Sequence, residues 1–215
     1  MTVNNKKYSL LLLIQLIVIL MAGVFSSDTW YAIGVSIIGV VFNFLVSLNN
    51  PVGFLFGFVY AITNGIVAYN GQIYATFIFM LFLQAPMALY SFINWRKQKE
   101  STEAIMKKMS FRQNSMLGFA MIALGVVIYL VLQLSNSTNV LVDSVFFVFS
   151  VSACLLLAFC YKNAYMITLM SGVCGTVLWT YQMLETGSGF SIAAFYLIVS
   201  INSIIAVYEQ YIKKR

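Results

Sequence analysis

WRKQKESTEAIMKKMSFRQNS, residues 95–115, is the stretch that decides how this chain folds. It separates two long apolar blocks and holds six of the twelve lysines and arginines of the chain, which are Arg96, Lys97, Lys99, Lys107, Lys108 and Arg112. A basic segment beside hydrophobic spans is typical of the cytoplasmic face of a membrane protein. The stretch therefore predicts both an orientation and a boundary between two halves.

The composition excludes an ordinary soluble domain. Of the 215 residues, 61% are hydrophobic and 8% are charged, whereas a soluble chain is about 25% charged. The continuous apolar runs predict membrane-spanning α-helices, because lipid offers backbone groups no hydrogen-bond partners. The net charge of +6 lies in short loops, where it sets orientation and contacts lipid headgroups. We therefore expect the lipid bilayer, and no nucleic acid, among the partners.

Eight windows are long and apolar enough to span a membrane, which takes about 20 residues. They are Tyr8–Phe25, Trp30–Leu48, Pro51–Tyr69, Ile73–Asn94, Ser115–Leu134, Val140–Cys160, Ala164–Leu184 and Phe190–Tyr211. The breaks between them fall at turn residues, for example Asn49-Asn50-Pro51 and Asn70-Gly71. A cleaved signal peptide is the alternative for the first window, because two lysines precede its apolar run.

The distribution of charge predicts the orientation of these spans. With the N-terminus in the cytoplasm, all twelve basic residues fall on the inner side, and Asp28 and Glu185 fall in outer loops. This agrees with the excess of lysine and arginine in cytoplasmic loops of membrane proteins. Both termini are therefore predicted to be cytoplasmic.

A weak internal repeat divides the chain into two triplets of helices. A shift of 118 residues lays Gln84 on Asn202, Ala88 on Ala206 and Tyr90 on Tyr208. The predicted parts are a first helix (1–28), a three-helix repeat (29–97), a basic loop with a linker helix (98–138) and a second three-helix repeat (139–215). Because one helix intervenes, the two triplets are parallel, and their pseudo-twofold axis runs along the membrane normal.

The strongest candidates for substrate contact are two amides that match across the repeat. Gln84 lies on one face of the fourth span with Phe77 and Ser91, and Asn202 lies on a face of the eighth span with Phe195. An amide in the middle of a membrane must find partners. The alternative is that these amides only join helices by hydrogen bonds.

The seventh span carries a second candidate set at spacings of three and four residues. Tyr165, Thr168 and Trp179 lie on one stripe with Gly172 and Gly175. Aromatic rings with a hydroxyl group suit a polar heterocycle, whereas the glycines favour tight helix packing. Trp179 and Tyr165 are predicted to stack on a ring, and Thr168 to hydrogen-bond to its polar edge.

Three further residues are weaker candidates, and several others predict packing. The weaker candidates are Tyr60, Asn64 and Asn43. A ribbon of small residues in the third span predicts close approach of a neighbouring helix; it consists of Gly53, Gly57, Ala61 and Gly65. Pro86 predicts a kink in the fourth span just after Gln84.

Catalysis finds little support in the sequence. The chain has no histidine, no Ser/His/Asp set and no close pair of membrane carboxylates. Its three cysteines lack metal-ligand spacing and read as small buried hydrophobes. Asp143 is accounted for by the dipole at the start of its own helix. We expect no enzymatic activity, no metal and no cofactor, and facilitated diffusion is the simplest transport mechanism.

Several stretches resemble the PnuC family of vitamin and nucleoside transporters. The resemblance lies in YLIVSINSIIA, residues 196–206, with Tyr208 after it, and in LQAPM, residues 83–87, with the region Ile66–Tyr74. It extends over about Trp30 to Arg215. It implies an architecture like that of the SWEET sugar carriers, with triplet, linker and triplet, in a bacterial plasma membrane.

The resemblance also implies a function. Members of this family carry nicotinamide riboside, thiamine, riboflavin or deoxynucleosides by facilitated diffusion, and a cytosolic kinase traps the substrate. Members specific for nicotinamide riboside show a W-x-x-W pair and a following asparagine in the seventh span, where this chain has Tyr165, Thr168 and Gly172. Nicotinamide riboside is the expected substrate, and the other family substrates stay open.

Two alternatives of other classes stay open as well. The chain is alternatively the substrate-capturing subunit of an energised vitamin importer. An enzyme or assembly factor is the second alternative. The sequence also leaves open whether the chain forms a homo-oligomer.

Overall fold

The computed structural model describes residues 5–100, 106–135 and 139–211. Within these ranges the secondary structure is helical apart from one isolated β-bridge. The helices are α1 (Asn5–Phe25), α2 (Trp30–Ser47), α3 (Gly53–Asn70), α4 (residues 74–100), α5 (Phe111–Gln133), α6 (Val140–Ala158), α7 (Ala164–Thr186) and α8 (Phe190–Tyr211). The chain is thus an all-α polytopic membrane protein, as predicted.

Seven helices in the described part of the chain are long and apolar enough to cross a membrane. The exception is α7, whose 23 residues are long enough, at about 1.5 Å per residue, to span a bilayer. Its polar residues lower its apolar character, among them Thr168, Ser171, Thr176 and Gln182. Some of these residues are buried inside the bundle, including Ser171 and Gln182.

Six helices form a closed ring in the order α2, α3, α4, α6, α7, α8, with α8 packing back on α2. The other two pack outside this ring at equivalent places. Helix α1 lies against α2 and α8, and α5 lies against α6 and α4. The first triplet is therefore α2 to α4, the linker is α5, and the second triplet is α6 to α8. The domain boundaries at residues 28, 97 and 138 stay a prediction.

The basic stretch lies beside the loop that joins α6 to α7. The Lys107 amide donates to the Cys160 carbonyl oxygen at 2.7 Å, and the Lys162 amide donates to the Lys107 carbonyl oxygen at 2.9 Å. The Trp95 indole nitrogen, fully buried, donates to the Leu157 carbonyl oxygen at 2.7 Å near the end of α6. We call this side of the bundle the basic end. Residues 101–105 and the bases Lys213, Lys214 and Arg215 lie outside the described residues.

Helix α5 begins earlier than its apolar window predicts. The predicted start is Ser115, whereas the helix begins at Phe111. The Gln113 amide donates to the Ser110 hydroxyl oxygen, and the Gln113 side chain accepts from the Ser110 amide. This capping box satisfies two donors at the helix start, so the polar residues before the apolar run join the helix.

The opposite side of the bundle, the acidic end, is held by two carboxylates. Asp28, just before α2, accepts hydrogen bonds from the Gly189 and Ser191 amides at 2.5 and 2.8 Å. Asp143, in the first turn of α6, accepts from the Ala75 amide and the Thr76 hydroxyl at 3.1 and 2.7 Å. Each carboxylate thus caps the third helix of the other triplet. Asp143 does more than interact with the dipole of its own helix.

The predicted glycine ribbon lies where neighbouring helices approach α3. An added Cβ atom would lie 2.7 Å from the Phe42 ring at Gly57 and 2.9 Å from Leu45 at Gly53. At Gly65 it would lie 3.0 Å from Leu81 of α4. The prediction of close helix approach at this ribbon is confirmed.

Helix α4 is irregular in front of Pro86. Its segment Phe79–Gln84 is π-helical and lies between α-helical Tyr74–Ile78 and Ala85–Glu100. Proline removes a backbone donor and crowds the preceding turn, and a widened turn accommodates both effects. π-Helical turns are frequent at functional sites. The π-helical segment thus ends at Gln84, and the kink just after Gln84 stays a prediction.

Candidate functional site

A central cavity lies inside the ring and contains about 670 Å³ of atom-free space, counting the solvent space that adjoins it. Both triplets contribute to its wall. The lining residues include Phe42 and Asn43 of α2, Phe54 and Tyr60 of α3, Phe79, Met80, Gln84, Ala88 and Ser91 of α4, Phe146, Ser150, Ala153 and Cys154 of α6, Thr168 and Ser171 of α7, and Phe195, Tyr196 and Val199 of α8. A substrate in this cavity would contact both triplets.

Aromatic rings form much of the wall. Tyr60 and Phe195 lie with ring centroids 5.1 Å apart, and Phe146 meets Tyr196 edge to face at 5.2 Å. The Tyr60 and Tyr196 hydroxyls are 3.0 Å apart and share one hydrogen bond. This bond joins α3 of the first triplet to α8 of the second. Rings in such arrangements hold a flat ligand and also attract a cation to their faces.

Gln84 places an amide in the cavity wall. It is half-buried, and its side chain makes no hydrogen bond to any described residue. An amide at this depth has both a donor and an acceptor to satisfy. The prediction that Gln84 contacts substrate stays a prediction, and its position in the wall is consistent with it.

Hydroxyl groups supply the other polar atoms of the wall. Ser150 and Ser171 share a hydrogen bond of 2.8 Å across α6 and α7. Thr168, also in the wall, donates to the Ala164 carbonyl oxygen of its own helix at 2.8 Å, which leaves its oxygen free to accept. The wall thus offers hydroxyl oxygens beside the Gln84 amide.

Asn43 and Asn202 meet at the edge of the cavity. Asn43 lines the cavity, whereas Asn202 lies behind it and is 1% exposed. The Asn202 amide nitrogen donates to the Asn43 amide oxygen at 3.0 Å. The Asn43 nitrogen makes no hydrogen bond to any described residue, so it is available to a ligand. Gln84 and Asn202, which match in the sequence repeat, therefore have different places relative to the cavity.

A layer of polar and aromatic side chains separates this cavity from a second pocket at the acidic end. Trp179 lines that second pocket and is 1% exposed. Trp179 and the fully buried Asn64 both lie beside the Tyr196 hydroxyl. The Trp179 indole nitrogen and the Asn64 amide are buried and make no hydrogen bond of regular geometry among the described residues, although both interact with the Tyr196 hydroxyl. We call Tyr60, Tyr196, Asn64 and Trp179 the polar layer.

Tyr165 lies towards the basic end, and it is not among the residues that line the cavity. It is buried, and its hydroxyl interacts with the Val46 carbonyl oxygen at 3.1 Å and the Asn49 side-chain oxygen at 3.0 Å. It is 14 residues from Trp179 on α7, which is about 21 Å along the axis at 1.5 Å per residue. The two rings therefore cannot stack on one ligand at the same time.

The glycines of the α7 stripe serve packing. An added Cβ at Gly172 would lie 3.0 Å from the Ser200 backbone nitrogen and 3.1 Å from the Tyr196 carbonyl oxygen. At Gly175 it would lie 2.5 Å from the Tyr196 ring. Helix α8 therefore approaches α7 through these two positions, and the approach holds Tyr196 in the cavity wall.

The structure adds wall residues that the sequence pattern does not single out. The most prominent are Tyr196, Phe146, Ser150 and Ser171. Tyr196 is next to Phe195, which the sequence pattern had singled out. A hydroxyl group within an apolar span could have indicated Tyr196 as a candidate. The two serines had the same signal, because a hydroxyl inside a membrane must find a partner. Phe77, which shares a sequence stripe with Gln84, is not among the lining residues.

The cavity carries no charged side chain among the described residues that line it. Within the same part of the chain, no group of three Cys, Asp or Glu side chains is placed to hold a metal ion. The site is thus aromatic, with neutral donors and acceptors. Such a wall suits a ligand that has a flat ring and several hydroxyl or amide groups.

Comparison with known proteins finds a matching family and a similar fold. Residues 29–211 match the family model described as "Nicotinamide mononucleotide transporter". The fold is similar to that of a solved structure entitled "Crystal structure of the Vitamin B3 transporter PnuC", with a TM-score of 0.81 and 20% sequence identity. The similarity covers 96% of this chain and 92% of that chain. No curated protein sequence matches significantly.

Proposed function

The chain belongs to the nicotinamide mononucleotide transporter family, and from this premise we propose that it mediates facilitated diffusion of nicotinamide riboside. The observation that carries the proposal is the uncharged, aromatic cavity between the triplets. Nicotinamide riboside has a flat pyridinium ring with a positive charge, a carboxamide and a ribose. Each of these groups has a complement in the wall.

The aromatic rings suit the pyridinium ring. Tyr60, Phe146, Phe195 and Tyr196 lie within one connected set of ring contacts. A cation over an aromatic face gains about 0.5–2 kcal/mol, and more of it when water is excluded. The half-buried Gln84 and the free Asn43 nitrogen would bind the carboxamide or the ribose hydroxyls.

The absence of charge from the described lining favours the riboside over the mononucleotide. A phosphate would bring about two negative charges into a site where no lysine or arginine lines the described wall. An unpaired charge in a membrane interior costs at least several kcal/mol. The ribose hydroxyls, by contrast, are neutral, and the serine, threonine and amide groups of the wall can hydrogen-bond to them.

Alternating access would proceed by rocking of the two triplets around the cavity. The polar layer closes the path between the cavity and the acidic-end pocket, and it contains the hydrogen bond from Tyr60 to Tyr196. Opening towards the acidic end requires this bond to break, because its partners belong to different triplets. The Asn64 amide and the Trp179 indole nitrogen, which lack a hydrogen bond of regular geometry among the described residues, would then become accessible to water or substrate.

The basic end is proposed to face the cytoplasm of a bacterial cell. Lys107, Lys108 and Lys162 lie in its loops, in agreement with the excess of positive charge on the inner side. Substrate released there would be trapped by a cytosolic kinase, since the phosphorylated product would no longer fit the uncharged cavity. Phosphorylation in the cytoplasm would thus make net uptake directional without a coupled ion.

Calorimetry on the purified full chain in detergent tests the proposal. Nicotinamide riboside, its mononucleotide, thiamine, riboflavin and a deoxynucleoside are titrated separately. Saturable binding of the riboside with at least about tenfold weaker binding of the mononucleotide supports the proposal. Preference for thiamine, riboflavin or the deoxynucleoside would instead assign a different family substrate. Absence of binding for all five would remove the transport proposal.

A further inference from the structure

We propose that Gln15 of α1 positions the substrate-binding amide Asn43 by acting through Asn202. This inference rests on the proposed function, because it concerns the same cavity. The family match begins at residue 29, so α1 lies outside the matched region. Helix α1 would therefore contribute a positioning residue to the site in this chain.

Gln15 and Asn202 form a closed pair of amide hydrogen bonds. The Gln15 nitrogen donates to the Asn202 oxygen at 2.7 Å, and the Asn202 nitrogen donates to the Gln15 oxygen at 3.3 Å. Gln15 is 5% exposed and Asn202 is 1% exposed. Gln15 is also near the middle of α1 (Asn5–Phe25), where an unpaired amide is costly in a membrane.

The pair continues to the cavity. The Asn202 nitrogen uses a second hydrogen to donate to the Asn43 oxygen at 3.0 Å. The Asn43 oxygen is thereby engaged, and its nitrogen stays available on the cavity wall. Gln15 binds both the oxygen and the nitrogen of the Asn202 amide, so Asn202 keeps one rotamer. Asn202 in that rotamer fixes the orientation of the Asn43 amide.

Among the described residues, the equivalent helix of the other half has no buried amide pair; its amide contact is an exposed one, in which the Asn163 side chain donates to the Asn114 oxygen at 2.8 Å. Helix α5 packs on α6 and α4 as α1 packs on α2 and α8. The buried side chain of α5 is Leu132, which is apolar. A helix in this position therefore packs on the ring without a buried amide, and packing of α1 alone does not require Gln15. Ile19, which follows Gln15 by one turn, is fully buried and serves that packing.

The test is a double-mutant cycle on the dissociation constant for nicotinamide riboside, measured with the full chain. Q15M removes the amide and keeps a similar length. We expect Q15M to weaken binding by about five- to tenfold, the range for a lost hydrogen bond. N43A should weaken it by a similar factor, and the double variant should be no weaker than N43A alone. Residues that act through one contact are not additive.

A control on the same helix separates positioning from packing. I19A should lower the melting temperature and leave the dissociation constant unchanged. If Q15M behaves like I19A, or if the Q15M and N43A factors multiply, Gln15 only fastens the helix and the inference is wrong. Should Q15M not accumulate, Q15L also replaces the amide by an apolar group of similar size, and the same cycle and criterion apply to it.

The wild-type result separates this inference from the proposed function. If the wild-type protein does not bind nicotinamide riboside, the proposed function fails and the inference falls with it. If the wild-type protein binds and Q15M binds equally well, the inference alone fails.

Discussion

Asp28 and Asp143 have the same role in opposite halves of the molecule. Asp28 accepts from the backbone at the start of α8, and Asp143 accepts from the backbone at the start of α4. Each therefore ties the first helix of one triplet to the third helix of the other. A carboxylate at a helix N-terminus is favoured by the unpaired amides and by the helix dipole. The reciprocal pair holds the acidic end of both triplet interfaces.

Removing one of these carboxylates should destabilise the protein. D28A leaves the Gly189 and Ser191 amides without their acceptor, and hydrogen bonds to charged groups are worth about 1.5–3 kcal/mol. We expect a lower melting temperature in detergent, with a clear loss relative to wild type. E185A is the control, because the hydrogen bond from Asn139 to Glu185 is exposed and long at 3.3 Å. Equal melting temperatures for D28A and wild type would contradict the role of Asp28.

The hydrogen bond between Tyr60 and Tyr196 should show coupling. Y196F leaves the buried Tyr60 hydroxyl unpaired, at a cost of about 1–3 kcal/mol, whereas removing both partners is nearly neutral. We expect Y60F/Y196F to be more stable than the sum of the single variants predicts. Thermal unfolding of the four proteins measures this. Y69F is the control, because Tyr69 is exposed. Strict additivity of the two single changes would show that the hydroxyls are not coupled.

Close packing of α7 on α8 should make Gly172 intolerant of a side chain. A Cβ there meets backbone atoms of α8 at 3.0 and 3.1 Å, and overpacking costs about 1–3 kcal/mol. G172A should therefore lower the melting temperature and displace Tyr196 from the cavity wall, with weaker substrate binding. G34A is the matched control, since nothing lies within 4 Å of a Cβ at Gly34. The same stability for G172A and G34A would be the contrary result.

Gln84 should contribute to substrate affinity. Its amide lies in the cavity wall without a hydrogen-bond partner among the described residues. Loss of one hydrogen bond of about 1.4 kcal/mol corresponds to a tenfold change in affinity. Q84A should therefore raise the KM for nicotinamide riboside uptake about tenfold. Q133A, on the exposed end of α5, should leave KM unchanged, and a normal KM for Q84A would exclude the contact.

The helices were predictable because their signals are local. The predicted window Trp30–Leu48 corresponds to α2 (Trp30–Ser47), and Phe190–Tyr211 has the bounds of α8. Apolar length and turn residues are properties of the sequence itself. The start of α5 at Phe111 differs from the prediction because a capping box extends the helix into polar residues.

The site was predictable only in part, because it depends on contacts between helices. Gln84, Thr168, Tyr60 and Asn43 are in the cavity wall, and their contact with a substrate stays a prediction. The π-helical segment Phe79–Gln84 changes the rotation of α4. A spacing of seven residues therefore no longer places Phe77 and Gln84 on the same face of the helix. No local sequence pattern predicts this change in rotation.

The two remaining differences have separate origins. The distance between Tyr165 and Trp179 could be read from the sequence, because 14 residues of helix span about 21 Å. The partner of Asn202 is Gln15, at a distance of 187 residues in sequence. Such a pairing results from the packing of α1 on α8, so the spacing of residues within one helix cannot predict it.

Uptake by vesicles tests the central claim most directly. Liposomes that contain only the purified protein are supplied with labelled nicotinamide riboside or its mononucleotide, with or without an enclosed riboside kinase and ATP. We predict saturable riboside uptake that equilibrates without the kinase and accumulates with it, and little uptake of the mononucleotide. Equal or faster uptake of the mononucleotide, or no riboside uptake above protein-free liposomes, would contradict the account.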